Sequence, residues 1–148
     1  MIDLNQYIEN PKVAIWQANY WQPWEIIDNL ENIVLQYLKT IGSDYKVKDR
    51  IAIHKKATIE PGVTLKGPLV IGKNSFIGAH AYLRGPIFLG NSVKIGPGSE
   101  IKQSIILDRT AIAHFNYIGN SILGQNINFA TISTILGKKI TSPAPSGV

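Results

Sequence analysis

The sequence predicts a mainly β protein built as one single-stranded parallel β-helix, with an amphipathic helix ahead of it. Three observations carry this prediction: a six-residue repeat of Ile and Leu, a small or aliphatic residue two places before each, and glycines recurring one place after. Stepping by six from Ile53 gives Ile59, Leu65, Ile71, Ile77, Leu83, Leu89, Ile95 and Ile101. Ile and Leu fill roughly a quarter of the chain, so an unbroken run of this kind arises by chance about twice in a million trials. The preceding positions are Ile51, Ala57, Val63, Leu69, Ser75, Ala81, Ile87, Val93 and Ser99, and the glycines are Gly72, Gly78, Gly90 and Gly96. A period of six fits neither a helix nor a hairpin meander. It fits a coil in which each hexad is one short strand and a turn, with both apolar positions facing inward because side chains alternate along a strand.

Taken in order, residues 1–48 read as an N-terminal region distinct from the coil. Trp16, Tyr20, Trp21 and Trp24 crowd its first part. Such aromatics either stack on a sugar or base or pack an arm onto a neighbouring surface, and packing is the preferred reading. From Pro23 to Ile41 the period becomes helical, with Ile26, Ile27, Leu30, Ile33, Val34, Tyr37, Leu38 and Ile41 on one face. Pro23 suits the first turn. Glu25, Asp28 and Glu31 suit the positive end of the macrodipole and Lys39 the negative end, and Gly42 is expected to close the helix in a left-handed conformation. The helix is expected to cap the open end of the coil, because a first coil needs a cover. Ser43–Arg50 reads as a solvated polar link.

The coil itself spans residues 49–137. Beyond Ile101 the anchors continue as Ile106, Ile112, Ile118, Leu123, Phe129 and Ile135. Two of these steps are one residue short, a deletion that a turn can absorb. At about 18 residues per turn there is room for about five turns. Residues 138–148, with Thr141-Ser142-Pro143-Ala144-Pro145-Ser146-Gly147, read as a disordered tail.

Composition bounds the function. The 148 residues are 45% hydrophobic and 17% charged, which is globular. No apolar run is long enough to span a bilayer, and the start lacks the plan of a signal peptide. The absence of cysteine removes disulfides and thiolate chemistry and fits a cytoplasmic protein. The net charge of +5 favours anionic partners. The basic residues are scattered and match no recognition motif, so nucleic acid is not expected. His54, His80 and His114 include no close pair, so no zinc site is expected either.

Since the inward side chains are used in packing, a site must sit on outward residues. Arg84 and Lys102 lie 18 residues apart and so one above the other on the same edge of the coil. An anion between them relieves their repulsion, although spacing alone leaves two solvated cations as an equal reading. His114 is a candidate general base, or a structural histidine.

The run His114-Phe115-Asn116-Tyr117-Ile118-Gly119-Asn120, followed one coil later by Asn126-Ile127-Asn128, resembles a set of motifs in the acetyltransferase domain of bifunctional N-acetylglucosamine-1-phosphate uridylyltransferase/glucosamine-1-phosphate acetyltransferase. Ala81-Tyr82-Leu83-Arg84-Gly85-Pro86 is similar to that family's arginine turn, and Glu100-Ile101-Lys102 to its Glu-x-Lys element. The resemblance covers residues 49–129. It implies a left-handed coil of the hexapeptide-repeat acyltransferases, working as a homotrimer with sites between subunits. It further implies that His114 deprotonates the amine of an amino-sugar phosphate for attack on acetyl-CoA, with Arg84 and Lys102 on the phosphate, Tyr117 and Asn128 placing the sugar, and no metal in the step. Two departures qualify it. No stretch resembles the nucleotidylyltransferase half, so nucleotidyl transfer is not expected of this chain. After Asn128 the family pattern gives way to Phe129-Ala130-Thr131-Ile132-Ser133-Thr134, as if the coils that supply most of the acetyl-CoA site were truncated. The alternative reading is a catalytically incomplete trimeric scaffold or sugar-phosphate-binding protein.

Overall fold

A computed structural model describes residues 22–130 and the backbone of two further strands, and its architecture is a left-handed parallel β-helix. Trp16, Tyr20 and Trp21 of the expected arm, and most of the expected tail, lie outside the described residues. Three flat faces recur in each coil. Face 1 is built by β2 (Ile51–His54), β5 (Leu69–Ile71), the second half of β7 (Tyr82–Leu89), the second half of β9 (Glu100–Ile106), β12 (Ile122–Leu123) and β15 (Ile140–Thr141). Face 2 is built by β3 (Thr58–Ile59), β6 (Phe76–Ile77), β8 (Lys94–Ile95), β10 (Ala111–Ile112) and β13 (Asn128–Phe129). Face 3 is built by β4 (Thr64–Lys66), the first halves of β7 and β9, β11 (Tyr117–Gly119) and β14 (Thr134–Ile135).

The hexad register is the one the repeat demands. Ile59, Ile77 and Ile95 align, as do Leu65, Leu83 and Ile101. Their side chains join Ile71, Leu89, Ile106, Ile112, Ile118 and Leu123 in one continuous core. The described residues complete four turns and begin a fifth, against the expected five. The first short step falls at the corner between faces 3 and 1. Arg84 pairs with Lys102 but Ile87 with Ser104, so Gly85-Pro86 in one coil faces Gln103 alone in the next. The corner absorbs the deletion, and the strands on either side keep their register. Ser104 Oγ donates to the Lys102 carbonyl at 2.7 Å and accepts from Ser121 N at 3.2 Å, tying the shortened corners together.

Four local expectations change. The helix is two helices, α1 (Pro23–Asp28) and α2 (Leu30–Thr40), parted at Asn29 with φ −102° and ψ 10°. Near the break, Gln103 Nε2 donates to the Ile27 carbonyl at 3.1 Å, a contact from 76 residues away. Gly42 does not adopt the left-handed conformation. Ile41 is extended instead, and Thr40 Oγ1 donates to the Tyr37 carbonyl at 2.9 Å. The polar link contains a strand, β1 (Tyr45–Lys48), antiparallel to β2. Its two-residue turn, Asp49-Arg50, has φ of 50° and 62°, the geometry that matches the twist of a tight hairpin. The stretch read as disordered tail likewise contributes β15, parallel to β12.

The helices lie along face 1 rather than across the end of the coil. Ile26, Ile27, Leu30 and Val34 bury against Ala52, Val70, Phe88, Ile105 and Ile122, one outward residue from each of five successive rungs. Tyr37 meets Phe88 edge to face at 5.3 Å between ring centres. The antiparallel strand β1, not the helix, extends face 1 at its N-terminal edge. Among the described residues no helix is long and apolar enough to cross a membrane.

Candidate functional site

Face 3 presents two outward columns, because each of its three-residue strands points its first and third side chains away from the core. One column runs Thr64, Tyr82, Glu100, Tyr117; the other runs Lys66, Arg84, Lys102, Gly119. Arg84 therefore stands in register with Lys102, as an 18-residue turn requires, and Tyr117 rises from the neighbouring column one rung higher. Tyr117 folds its ring back over Gly119, where an added Cβ would come within 2.6 Å of the phenol oxygen. Only glycine leaves room for that ring position.

The charges on this face are partly paired. Glu100 Oε1 accepts from Arg84 Nη2 at 2.6 Å and from Arg84 Nε at 2.7 Å. The pair is partly exposed, at 41% and 33%. The hydrogen bond with Glu100 raises the guanidinium pKa, with burial working against it and the nearby carboxylate charge adding to it. Lys102 is half-buried, and among the described residues it makes no ion pair. Its charge is available to a ligand in a way that Arg84's is only when Glu100 shares or releases it.

His114 sits at the corner between faces 2 and 3, just before β11. Its exposed ring meets the ring of Phe115 edge on at 5.4 Å between centres. The turn that carries it is held from below, within and above. Asn116 N donates to Ser99 Oγ at 3.1 Å, and Asn116 Nδ2 donates to the carbonyls of Ala113 at 2.8 Å and Ala130 at 3.1 Å. Asn116 is thus a buried clamp that fixes the backbone beside the imidazole. The sequence reading passed over it, although an asparagine two places after a candidate base, in a turn, is the kind of residue that closes such turns on its own backbone.

Asn128 is placed differently. It lies on face 2, exposed, one rung above Ala111. Within one chain the structure brings Arg84, Lys102 and Tyr117 onto one face and puts His114 at that face's edge, while Asn128 looks out from the adjoining face. His80 is not part of this face. It occupies the same corner as Phe115, with φ 60°, and its ring lies against Gly62 one coil below. Among the described residues no three His, Asp or Glu side chains gather into a metal-binding group.

One cation of face 3 escaped the sequence reading. Lys66 aligns with Arg84, and its 18-residue spacing was the available signal. Its Nζ lies 5.2 Å from the centre of the Tyr82 ring.

Comparison with known proteins converges on the same stretch. The family model described as the GMPPB C-terminal domain matches residues 66–143. A bifunctional sugar-1-phosphate nucleotidylyltransferase/acetyltransferase of Sulfurisphaera tokodaii is 37% identical over 125 residues, covering 78% of this chain and 31% of that protein. A bifunctional protein GlmU of Methanococcus maripaludis is 48% identical over 137 residues, covering 85% of this chain and 33% of its own length. Another, of Methanococcus aeolicus, is 35% identical over 128 residues, covering 81% and 31%. The chain spans about a third of the length of the curated relatives it matches.

Proposed function

Because this chain belongs to the GMPPB C-terminal domain family, and is similar to bifunctional sugar-1-phosphate nucleotidylyltransferase/acetyltransferases, we propose that it transfers an acetyl group from acetyl-CoA to the amine of an amino-sugar phosphate. The observation that carries this reading is the register of Arg84 over Lys102 on face 3, with His114 at the corner that opens onto it. Lys102 and Arg84 hold the phosphate through charge-assisted hydrogen bonds, Arg84 turning its fork from Glu100 toward the ligand. Tyr117 lies against the sugar. The His114 imidazole accepts a proton from the sugar amine as the amine nitrogen attacks the thioester carbonyl; the carbon–sulfur bond breaks and CoA leaves as the thiolate, which takes that proton from the imidazolium.

Asn128 fits this site in an assembly. It faces away from Arg84 and Lys102 in its own chain, so it reaches a sugar only where face 2 of one copy meets face 3 of another. A homotrimer with its sites between copies satisfies that condition and leaves face 1, covered by its own helices, on the outside.

The test is release of free CoA thiol when the purified chain is mixed with acetyl-CoA and glucosamine-1-phosphate. We expect turnover in the wild-type chain, and a loss of about 10²–10⁴-fold in His114→Ala, the range for removing a general base, with unchanged melting temperature. Binding of glucosamine-1-phosphate without any thiol release identifies instead a sugar-phosphate-binding scaffold. One observation favours that second reading: among the described residues no carboxylate or carbonyl is bonded to the His114 ring to orient it.

A further inference from the structure

Face 3 carries a cation that a single sugar phosphate does not use. Lys66, Arg84 and Lys102 stand in one column, with rungs about 4.8 Å apart. Arg84 Cζ lies 5.9 Å from the centre of the same Tyr82 ring that Lys66 Nζ approaches at 5.2 Å. One aromatic ring therefore has two like charges near its centre, each attracted to its quadrupole. Glu100 is the only carboxylate among the described strand residues facing outward here, and it is committed to Arg84. Among the described residues neither Lys66 nor Lys102 has an ion-pair partner. The column thus keeps two uncompensated positive charges, one on each side of the Arg84–Glu100 pair. A monophosphate seated between Arg84 and Lys102 neutralises the upper one and leaves Lys66 a rung away. An anion longer by one phosphoryl group reaches both.

We propose that Lys66 extends the anion site of face 3 by one rung, so that the column takes a sugar diphosphate, the chemistry of a nucleotide sugar. One phosphoryl group sits at Arg84 and Lys102 and the second at Lys66, whose flexible ammonium can follow it from its resting place over Tyr82. This inference rests on the reading of Arg84 and Lys102 as phosphate ligands given above.

Calorimetric titration of the full chain with inorganic phosphate, inorganic pyrophosphate, a uridine-diphosphate sugar and, separately, glucosamine-1-phosphate tests it. We expect pyrophosphate to bind about tenfold more tightly than phosphate, as one added charge-assisted contact implies. Lys66→Gln abolishes that preference and Lys66→Arg restores it, and the uridine-diphosphate sugar loses affinity in Lys66→Gln to the same degree. Equal binding of phosphate and pyrophosphate, or a preference that survives Lys66→Gln, overturns the inference. Binding of pyrophosphate without the sugar nucleotide overturns the assignment to a nucleotide sugar. The glucosamine-1-phosphate arm separates the two levels. If that ligand binds the wild-type chain while pyrophosphate gains nothing, only the Lys66 subsite falls; if it fails to bind, the phosphate site beneath falls too.

Discussion

Faces 1 and 3 share two strands, since β7 and β9 each run from one face into the other, and the Ile and Leu columns beneath them belong to one core. They differ in the column that points outward. On face 1 it reads Ala52, Val70, Phe88, Ile105, Ile122 and is covered by the chain's own helices. On face 3 it reads Lys66, Arg84, Lys102, Gly119, and the helices do not cover it. The inward pattern determines that a coil forms; the outward column determines what each side of the coil is for.

Substitutions can break that division. Phe88→Ala is expected to cost about 3–5 kcal/mol of stability, the range for emptying a packed aromatic site, as read by urea unfolding. It should leave sugar-phosphate affinity intact. Lys102→Ala reverses the pattern, with stability changed by no more than about 0.5 kcal/mol. Its loss in glucosamine-1-phosphate binding, about 1.5–3 kcal/mol as expected for a hydrogen bond to a charged group, is measured by calorimetry. Gly119→Ala sharpens the comparison within face 3. The new methyl displaces the Tyr117 ring, and we expect a fall in ligand affinity of about 1 kcal/mol, the scale of one ordinary hydrogen bond, with the melting temperature nearly constant.

The smallest effect lies where the helices meet the coil. Burial, with lesser contributions from Tyr37, Asp108 and Asp44, raises the Tyr45 phenol from 10.0 to about 12. The folded chain therefore keeps a proton that the unfolded chain gives up above its ordinary value. The stability this contributes is complete below pH 10 and is lost as pH rises toward 12. Tyr45→Phe should flatten the alkaline limb of a melting-temperature profile, and an unchanged limb would show that Tyr45 does not produce it.

The coil was legible because each inward position is dictated by its own hexad, with no reference to distant chain. The partner of the helix was legible in principle through the same spacing. Val70 and Phe88 are flanked on both sides by apolar residues, a departure from strict alternation that marks a strand buried on both faces. The break at Asn29 was not legible, because the side chain bonded beside it, Gln103, belongs to a shortened corner of the coil. For the site, spacing placed Arg84 over Lys102 and could have placed Lys66. The partner of Arg84 was harder to read: Glu100 aligns with Tyr82, not with Arg84, and reaches it diagonally between columns. Asn128 precedes an anchor in the column of Ile112 whereas Tyr117 precedes one in the column of Ile101, and that difference of column assigns them to different faces.

The corner occupied by His80 and Phe115 has a further consequence. Its left-handed positions run Gly62, His80, Gly98, Phe115, with φ of 80°, 60°, 68° and 56°, and each ring lies over the glycine one coil below; a Cβ on Gly98 would stand 2.7 Å from Phe115 Cε1. Bulk and vacancy alternate, so along this edge the repeating unit is two coils, not one. Excising the coil that contains Gly98 would drop Phe115 directly onto His80, whereas excising that coil together with the one that carries His80 would set it down on Gly62. The molecule obeys a parity rule: along this corner its length changes without collision in pairs of turns, and a lineage that shortened or lengthened it would carry that evenness as a record.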